Sequence, residues 1–303
     1  MSIFLGIVII VVSFMIFASV VVLIIGPGML LQPYRRTMEY YQKRTKLLHP
    51  SDAGLPCEEL SLKSAEGIDL SCWLIKAPKA AKGTVLFLHG VSENKIVGIP
   101  IARLLHSAGY NVLLYDSRRH GDSEGKYCTY GFYEKHDVRT IINYLHHRPD
   151  VQLGKVGLFG SSMGAAVAIQ VAGIDTRIAA IIAESGFATL RTVFDDYQRR
   201  IVKLPWHYLR NIVIRRSEQI AHFKASAVSP LASIKNVHIP IFMMHGTADD
   251  LIDHTYSQML FENTDEPKEL WLIPKARHDN MAEIGGEEYK SRIINFFGRT
   301  LAS

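Results

Sequence analysis

The chain has 303 residues, 48% hydrophobic and 21% charged, which is enough to bury one sizeable core. Its formal net charge of +5 is concentrated: residues 26–46 carry five basic and one acidic residue, residues 186–224 carry eight and three, and the remainder is net acidic. That distribution argues against nucleic acid and suits an anionic membrane surface, with ordinary solvated faces as the competing account of the second cluster.

From Ile3 to Ile25 the apolar run is interrupted only by Gly6, Ser13 and Ser19. At a helical rise of about 1.5 Å per residue this segment reaches roughly 34 Å, enough to cross a hydrocarbon core of about 30 Å. A cleaved signal peptide wants a basic start and a shorter apolar stretch. No Lys or Arg precedes this run, and Gly26-Pro27-Gly28 follows it. The expectation is a retained transmembrane anchor over residues 1–26 and a basic juxtamembrane linker over 27–56. Arg35, Arg36, Lys43, Arg44 and Lys46 follow closely, so the positive-inside rule places the body, residues 57–303, in the cytoplasm. Three scattered cysteines, Cys57, Cys72 and Cys128, form neither a disulfide framework nor a CxxC metal pair, and read as small buried hydrophobes.

Residues 60–63 and 68–76 alternate like a hairpin around Ala65-Glu66-Gly67. Short, solidly apolar runs then start at Thr84, Asn111, Lys155, Ile178, Pro240 and Glu269, separated by longer helical patterns. Continuous apolar strands alternating with helices predict an α/β fold, with a mostly parallel central sheet covered by helices on both faces. Chemistry is expected beyond the carboxyl ends of such strands. Residues 186–233 interrupt the rhythm. There Trp206, Leu209, Ile212 and Val213 oppose Arg210, Arg215 and Arg216 on a helix expected over 208–216. This insert reads either as a small helical cap over the site or as an ordinary amphipathic packing helix.

Gly160-Ser161-Ser162-Met163-Gly164 follows an apolar strand and opens a helical stretch. A G-x-S-x-G at a strand-turn-helix elbow projects its central serine, which selects Ser162 over Ser161 as nucleophile. The Met163 N–H, at the helix start, points at a developing oxyanion. A serine needs a base to take its proton and an acid to orient that base, in the chain order Ser, acid, His. Asp249 lies just beyond a strand, with Asp250 and Asp253 as rivals. Asp253 looks like an N-cap for a helix beginning at His254. His278 lies in the loop after the last strand. Asp279 is too near His278 in sequence to face it well, and His254 reads as a surface or capping residue. His89-Gly90-Val91 follows the first parallel strand, and a second oxyanion N–H is assigned to Val91.

With these residues in order, together with the segment Asp116–Gly125 and His245-Gly-Thr-Ala-Asp249, the chain resembles the α/β-hydrolase superfamily from about Leu60 to Phe297. It is most similar to single-pass membrane-anchored members and bacterial lysophospholipase-like relatives. The resemblance implies Ser162, Asp249 and His278 as a triad, and Val91 and Met163 as the oxyanion hole. It implies hydrolysis, through an acyl-enzyme, of carboxylic esters, thioesters of acylated proteins or lysophospholipids. Three positions depart from the pattern: Arg119 stands where glycine is usual, Val91 where anchored relatives often carry Asn, and Asp253 where proline is common. A serine peptidase of the same fold and a non-catalytic hydrolase-like binding protein are the alternatives. HExxH, GxGxxG and P-loop patterns are absent, so neither metal nor nucleotide cofactor is expected.

Overall fold

A computed structural model describes residues 3–202 and 207–302; Trp206 lies outside them. Among the described residues, eight strands form a sheet: β1 (Glu58–Lys63), β2 (Asp69–Ile75), β3 (Thr84–Leu88), β4 (Asn111–Tyr115), β5 (Val156–Ser161), β6 (Ile178–Glu184), β7 (Ile241–Gly246) and β8 (Lys268–Ile273). Their order is β1-β2-β4-β3-β5-β6-β7-β8. The hairpin β1–β2 and the β2–β4 pair are antiparallel, and every later pairing is parallel.

The apolar runs become central strands because both faces are covered. Every residue of β3 and β4 is buried. Leu86 and Leu88 of β3 join one hydrophobic cluster, with Val138, Ile141 and Leu145 of helix Glu134–His146 and the helix Met163–Ala172. Val85 and Phe87 join the other, with Ile99, Ala102 and Leu105 of helix Ile99–Ser107 and with Ile293, Phe296 and Phe297 of helix Met281–Leu301. The two-residue period of the strand thus divides one apolar run between two helical layers.

The N-terminal helix is longer than its apolar run suggests, extending from Ile3 to Leu31. It is long and apolar enough to cross a membrane, and none of Ile3–Val20 is buried. Pro27 lacks an N–H and its ring crowds the preceding turn. The helix widens to π geometry over Val21–Ile25, just before that proline, and so continues. Its last turn enters the domain. Leu30 and Leu31 are buried in the first hydrophobic cluster, the Leu31 carbonyl accepts the Cys128 N–H at 2.8 Å, and the Leu30 carbonyl accepts the Tyr130 hydroxyl at 3.0 Å.

Residues 27–56, expected as a linker, are also tied down. Arg35 donates Nε to the Arg119 carbonyl at 2.7 Å and Nη2 to the Ser123 carbonyl at 2.6 Å. Tyr41 donates to Glu93 Oε2 at 2.7 Å, and Arg36 pairs with the same carboxylate. Arg119 sits at φ 68°, which explains why glycine suits this place. That conformation presents the Arg119 carbonyl to Arg35.

The insert between β6 and β7 contains helices Leu190–Asp196, His207–Ala221 and Pro230–Ser233. The helix expected over 208–216 therefore starts one residue earlier and runs five further. It buries Ile214 and exposes Arg215 and Arg216. Thr189 caps the first of these helices, accepting the Thr192 N–H. The Asp253 N–H donates to Asp196 Oδ2 at 3.5 Å, which ties the insert to the loop carrying Asp249.

Burial of Leu31 at 1% exposure makes a direct test of this docking. Leu31→Ala should lower the unfolding free energy of the detergent-solubilised protein by about 2–5 kcal/mol, read as a reduced urea midpoint. A residue on a loose linker would leave that midpoint unchanged.

Candidate active site

The elbow after β5 is built by close approach. An ideal Cβ at Gly164 would stand 1.9 Å from the Leu88 carbonyl oxygen, and one at Gly160 would stand 2.3 Å from the Gly164 carbonyl oxygen. No larger residue fits either position without moving backbone. Between them Ser162 adopts φ 55°, ψ −116°, outside the region L-residues favour. Its N–H donates to the Glu184 carbonyl at 2.7 Å, which holds the strained residue against β6.

The elbow aims Ser162 Oγ at His278 Nε2, 3.1 Å away, and His278 Nδ1 lies 2.7 Å from Asp249 Oδ2. Ser162 follows β5, Asp249 follows β7 and His278 follows β8, so the topology gathers three distant residues at one edge. Asp250 is exposed and Asp249 buried, so burial separates the rivals. Asp253 Oδ1 accepts the Thr255 N–H at 3.1 Å at the start of helix Thr255–Glu262, where His254 occupies the N-cap position. Asp279 is exposed and faces Arg277. Ser161 instead donates to Glu184 Oε1 at 3.0 Å.

Asp249 is more elaborately held than a simple acid partner. Its Oδ1 accepts the Leu251 and Ile252 N–H groups, each at 2.9 Å, and its Oδ2 faces both His278 and His245 Nε2, the latter at 3.1 Å. Burial alone would push this carboxyl up, yet the hydrogen bonds from His245 and His278 and the backbone amides hold it well below the usual carboxylate range. An ionised Asp249 accepts from His278 Nδ1–H, which leaves Nε2 as the acceptor facing Ser162. His245 is wholly buried. Its Nε2 meets only acceptors, Asp249 and the Ile252 carbonyl at 3.2 Å, so Nε2 carries a proton and Nδ1 faces the Ser257 hydroxyl at 2.7 Å. The sequence assigns this histidine no role; its one local signal is the four-residue spacing to Asp249 at a strand end.

A second unforeseen group is Glu184, at the end of β6. Burial raises its carboxyl, although Tyr289 donates to Oε2 at 2.5 Å and Ser161 to Oε1. Tyr289 lies 105 residues away on helix Met281–Leu301, so no local pattern announces the pair.

Met163 opens its helix, and its N–H therefore has no acceptor in a preceding turn. Gly90 permits the facing loop to approach: a Cβ there would stand 3.2 Å from Ser162 Cβ and 3.7 Å from Oγ. Val91 follows directly. His89 is buried, which lowers its pKa to about 4, and its neutral Nε2 accepts the Ser117 N–H at 2.9 Å. Lys95, further along the same loop, is buried against Asp116 Oδ2 at 2.6 Å and reaches Asp122 Oδ2 at 2.7 Å. These contacts brace the loops after β3 and β4 against each other.

A group whose folded pKa is raised contributes most below its unfolded pKa, and that contribution is lost as pH rises through the folded value. Tyr289→Phe removes a donor from buried Glu184, so it should destabilise the protein by about 1–3 kcal/mol, and by more at about pH 7 than at about pH 5. Denaturant unfolding at the two pH values checks this; an equal loss at both would contradict the assignment.

A family model described as serine aminopeptidase, S33, matches residues 79–227. An uncharacterised Bacillus subtilis protein, YqkD, is 31% identical over 237 residues, 78% of this chain and 77% of that one. Protein bem46 of Schizosaccharomyces pombe is 25% identical over 289 residues, covering 92% and 90%. Among solved structures, the Pyrococcus furiosus esterase Pf2001 superposes with a TM-score of 0.73 at 27% identity, covering 90% of this chain and 98% of that one.

Proposed function

The chain belongs to the α/β-hydrolase superfamily, and from that premise we propose that it is a membrane-anchored serine hydrolase acting on acyl esters or thioesters. The observation that carries the reading is the continuous line from Asp249 Oδ2 through His278 to Ser162 Oγ, with separations of 2.7 and 3.1 Å. His278 Nε2 takes the Ser162 proton as Oγ attacks the acyl carbonyl. The Val91 and Met163 amides hold the oxyanion. The protonated His278, stabilised by Asp249, returns its proton to the leaving alcohol or thiol. A water activated by the same nitrogen then releases the acid and restores Ser162.

The length and apolar character of Ile3–Leu31 support anchoring in a bilayer, and the basic residues that follow favour a cytoplasmic body by the positive-inside rule. Long-chain esters, lysophospholipids and S-acylated proteins are substrates that a bilayer presents.

A peptidase is the second reading, favoured by the description of the matching family model. Comparing acyl ester and aminoacyl amide substrates of equal chain length separates the two. Faster amide cleavage would replace the esterase reading.

Ser162→Ala should abolish labelling by a fluorophosphonate probe, and Asp249→Asn should lower kcat by roughly 10⁴-fold with the fold intact, because the imidazole loses its orienting acceptor. Labelling that persists in Ser162→Ala would assign the nucleophile elsewhere.

A further inference from the structure

The last turn of the membrane-length helix and the segment that follows it are strapped across one particular edge of the sheet. Leu30 and Leu31 are held by Tyr130 and Cys128, Arg35 by the carbonyls of Arg119 and Ser123, and Tyr41 by Glu93. These partners lie in the loops after β3 and β4, at the C-terminal ends of the parallel strands. Ser162, Asp249 and His278 sit at the same ends. With fixings at residues 30–31, 35 and 41, the helix cannot swing freely relative to the candidate site.

Side chains along this pinned strap are left uncovered. Met29 is 69% exposed, Tyr34 70% and Met38 50%. Single exposed apolar residues are ordinary, but these three fall within ten residues at the end of the helix and just after it, and Lys126 is exposed in the loop that holds them. The acids of the same loops are already engaged: Glu93 with Arg36 and Tyr41, Asp122 with Lys95, and Glu124 with the Asp69 N–H. The insert helix His207–Ala221 packs against the same helix: a Cβ at Gly26 would lie 2.7 Å from Val213 Cγ2, and Arg215 and Arg216, two and three residues further on, are exposed. The exposed apolar residues run from Ile3 to Ile25, which at about 1.5 Å per residue spans roughly 34 Å, enough to cross a hydrocarbon core of about 30 Å. The contact of Gly26 with the insert helix lies directly after that stretch.

We infer that this edge, with the strap and the insert helix, is a docking surface for the anionic leaflet of the bilayer that the span crosses, so that Ser162 opens toward lipid. Met29, Tyr34 and Met38 enter the boundary between acyl chains and headgroups, and Lys126, Arg215 and Arg216 lie over lipid phosphates. An acyl chain then reaches the site without passing through bulk water. The inference rests on the reading of Ile3–Leu31 as an anchor and needs no catalytic activity for its test.

The full chain is reconstituted into vesicles of phosphatidylcholine and phosphatidylglycerol containing brominated phosphatidylcholine, and into matched vesicles without bromine. Tyr34→Trp and Met38→Trp each add one reporter, read after subtraction of the parent emission. His146→Trp is the control, because helix Glu134–His146 ends near the start of β5, at the opposite edge. The emission of the reporters at 34 and 38 should shift to the blue and be lost to bromine, and that at 146 should do neither. The loss should weaken when phosphatidylglycerol is omitted; an equal loss would overturn the anionic assignment. Protein retained through a carbonate wash but quenched at 34 and 38 no more than at 146 would overturn the docking and leave the anchor standing. Extraction by carbonate would remove the anchor reading and the docking with it.

Discussion

The distance between the Met163–Ala172 helix and the end of β3 governs the edge that carries Ser162. Gly164 meets the Leu88 carbonyl so closely that a single methyl group has no space, and Gly160 is pressed against Gly164 in the same way. That approach leaves Ser162 in a backbone conformation worth about 1–3 kcal/mol of strain. The Glu184 carbonyl and the largely buried parallel strands β5 and β6 hold the strained residue in place. Relax the approach and the serine leaves His278, the Met163 amide turns, and the Gly90 loop loses the surface it rests on.

Two buried carboxyls stand at neighbouring strand ends with opposite protonation tendencies. Asp249 is kept charged by two imidazoles and two backbone amides. Glu184, with a phenol and a hydroxyl, is pushed the other way by burial. The difference lies in the donors, since both groups are removed from water. His245 and Tyr289 are thus positioning residues: neither faces Ser162 directly, yet His245 helps keep Asp249 charged and Tyr289 holds Glu184 in place against the pull of burial.

Much of this was legible in the sequence because the signals were local. Six apolar runs with helical spacers gave the parallel sheet, and Gly160–Gly164 in its strand-to-helix setting gave the elbow. Asp249 could be ranked above its rivals by its place at a strand end; in the structure it is buried and Asp250 exposed. The passages that stayed illegible depend on contacts between distant segments. Nothing around Glu184 points to Tyr289, and nothing around Leu31 points to Cys128. Hydropathy read the end of the N-terminal run at a glycine–proline pair, but the π turn over Val21–Ile25 carries the helix past it. Arg119 shows the reverse case: it stands where glycine is usual, and its left-handed backbone hands a carbonyl to the strap.

The last turn of the N-terminal helix, with Leu30 and Leu31 filling the core, makes that helix and the hydrolase domain one folding unit rather than two exchangeable modules. A chimera carrying another protein's apolar helix over residues 3–25 must keep this chain's own residues from Gly26 onward. A protease that cut between Gly26 and Leu30 would leave no intact domain, because the domain would be missing the wedge that closes it.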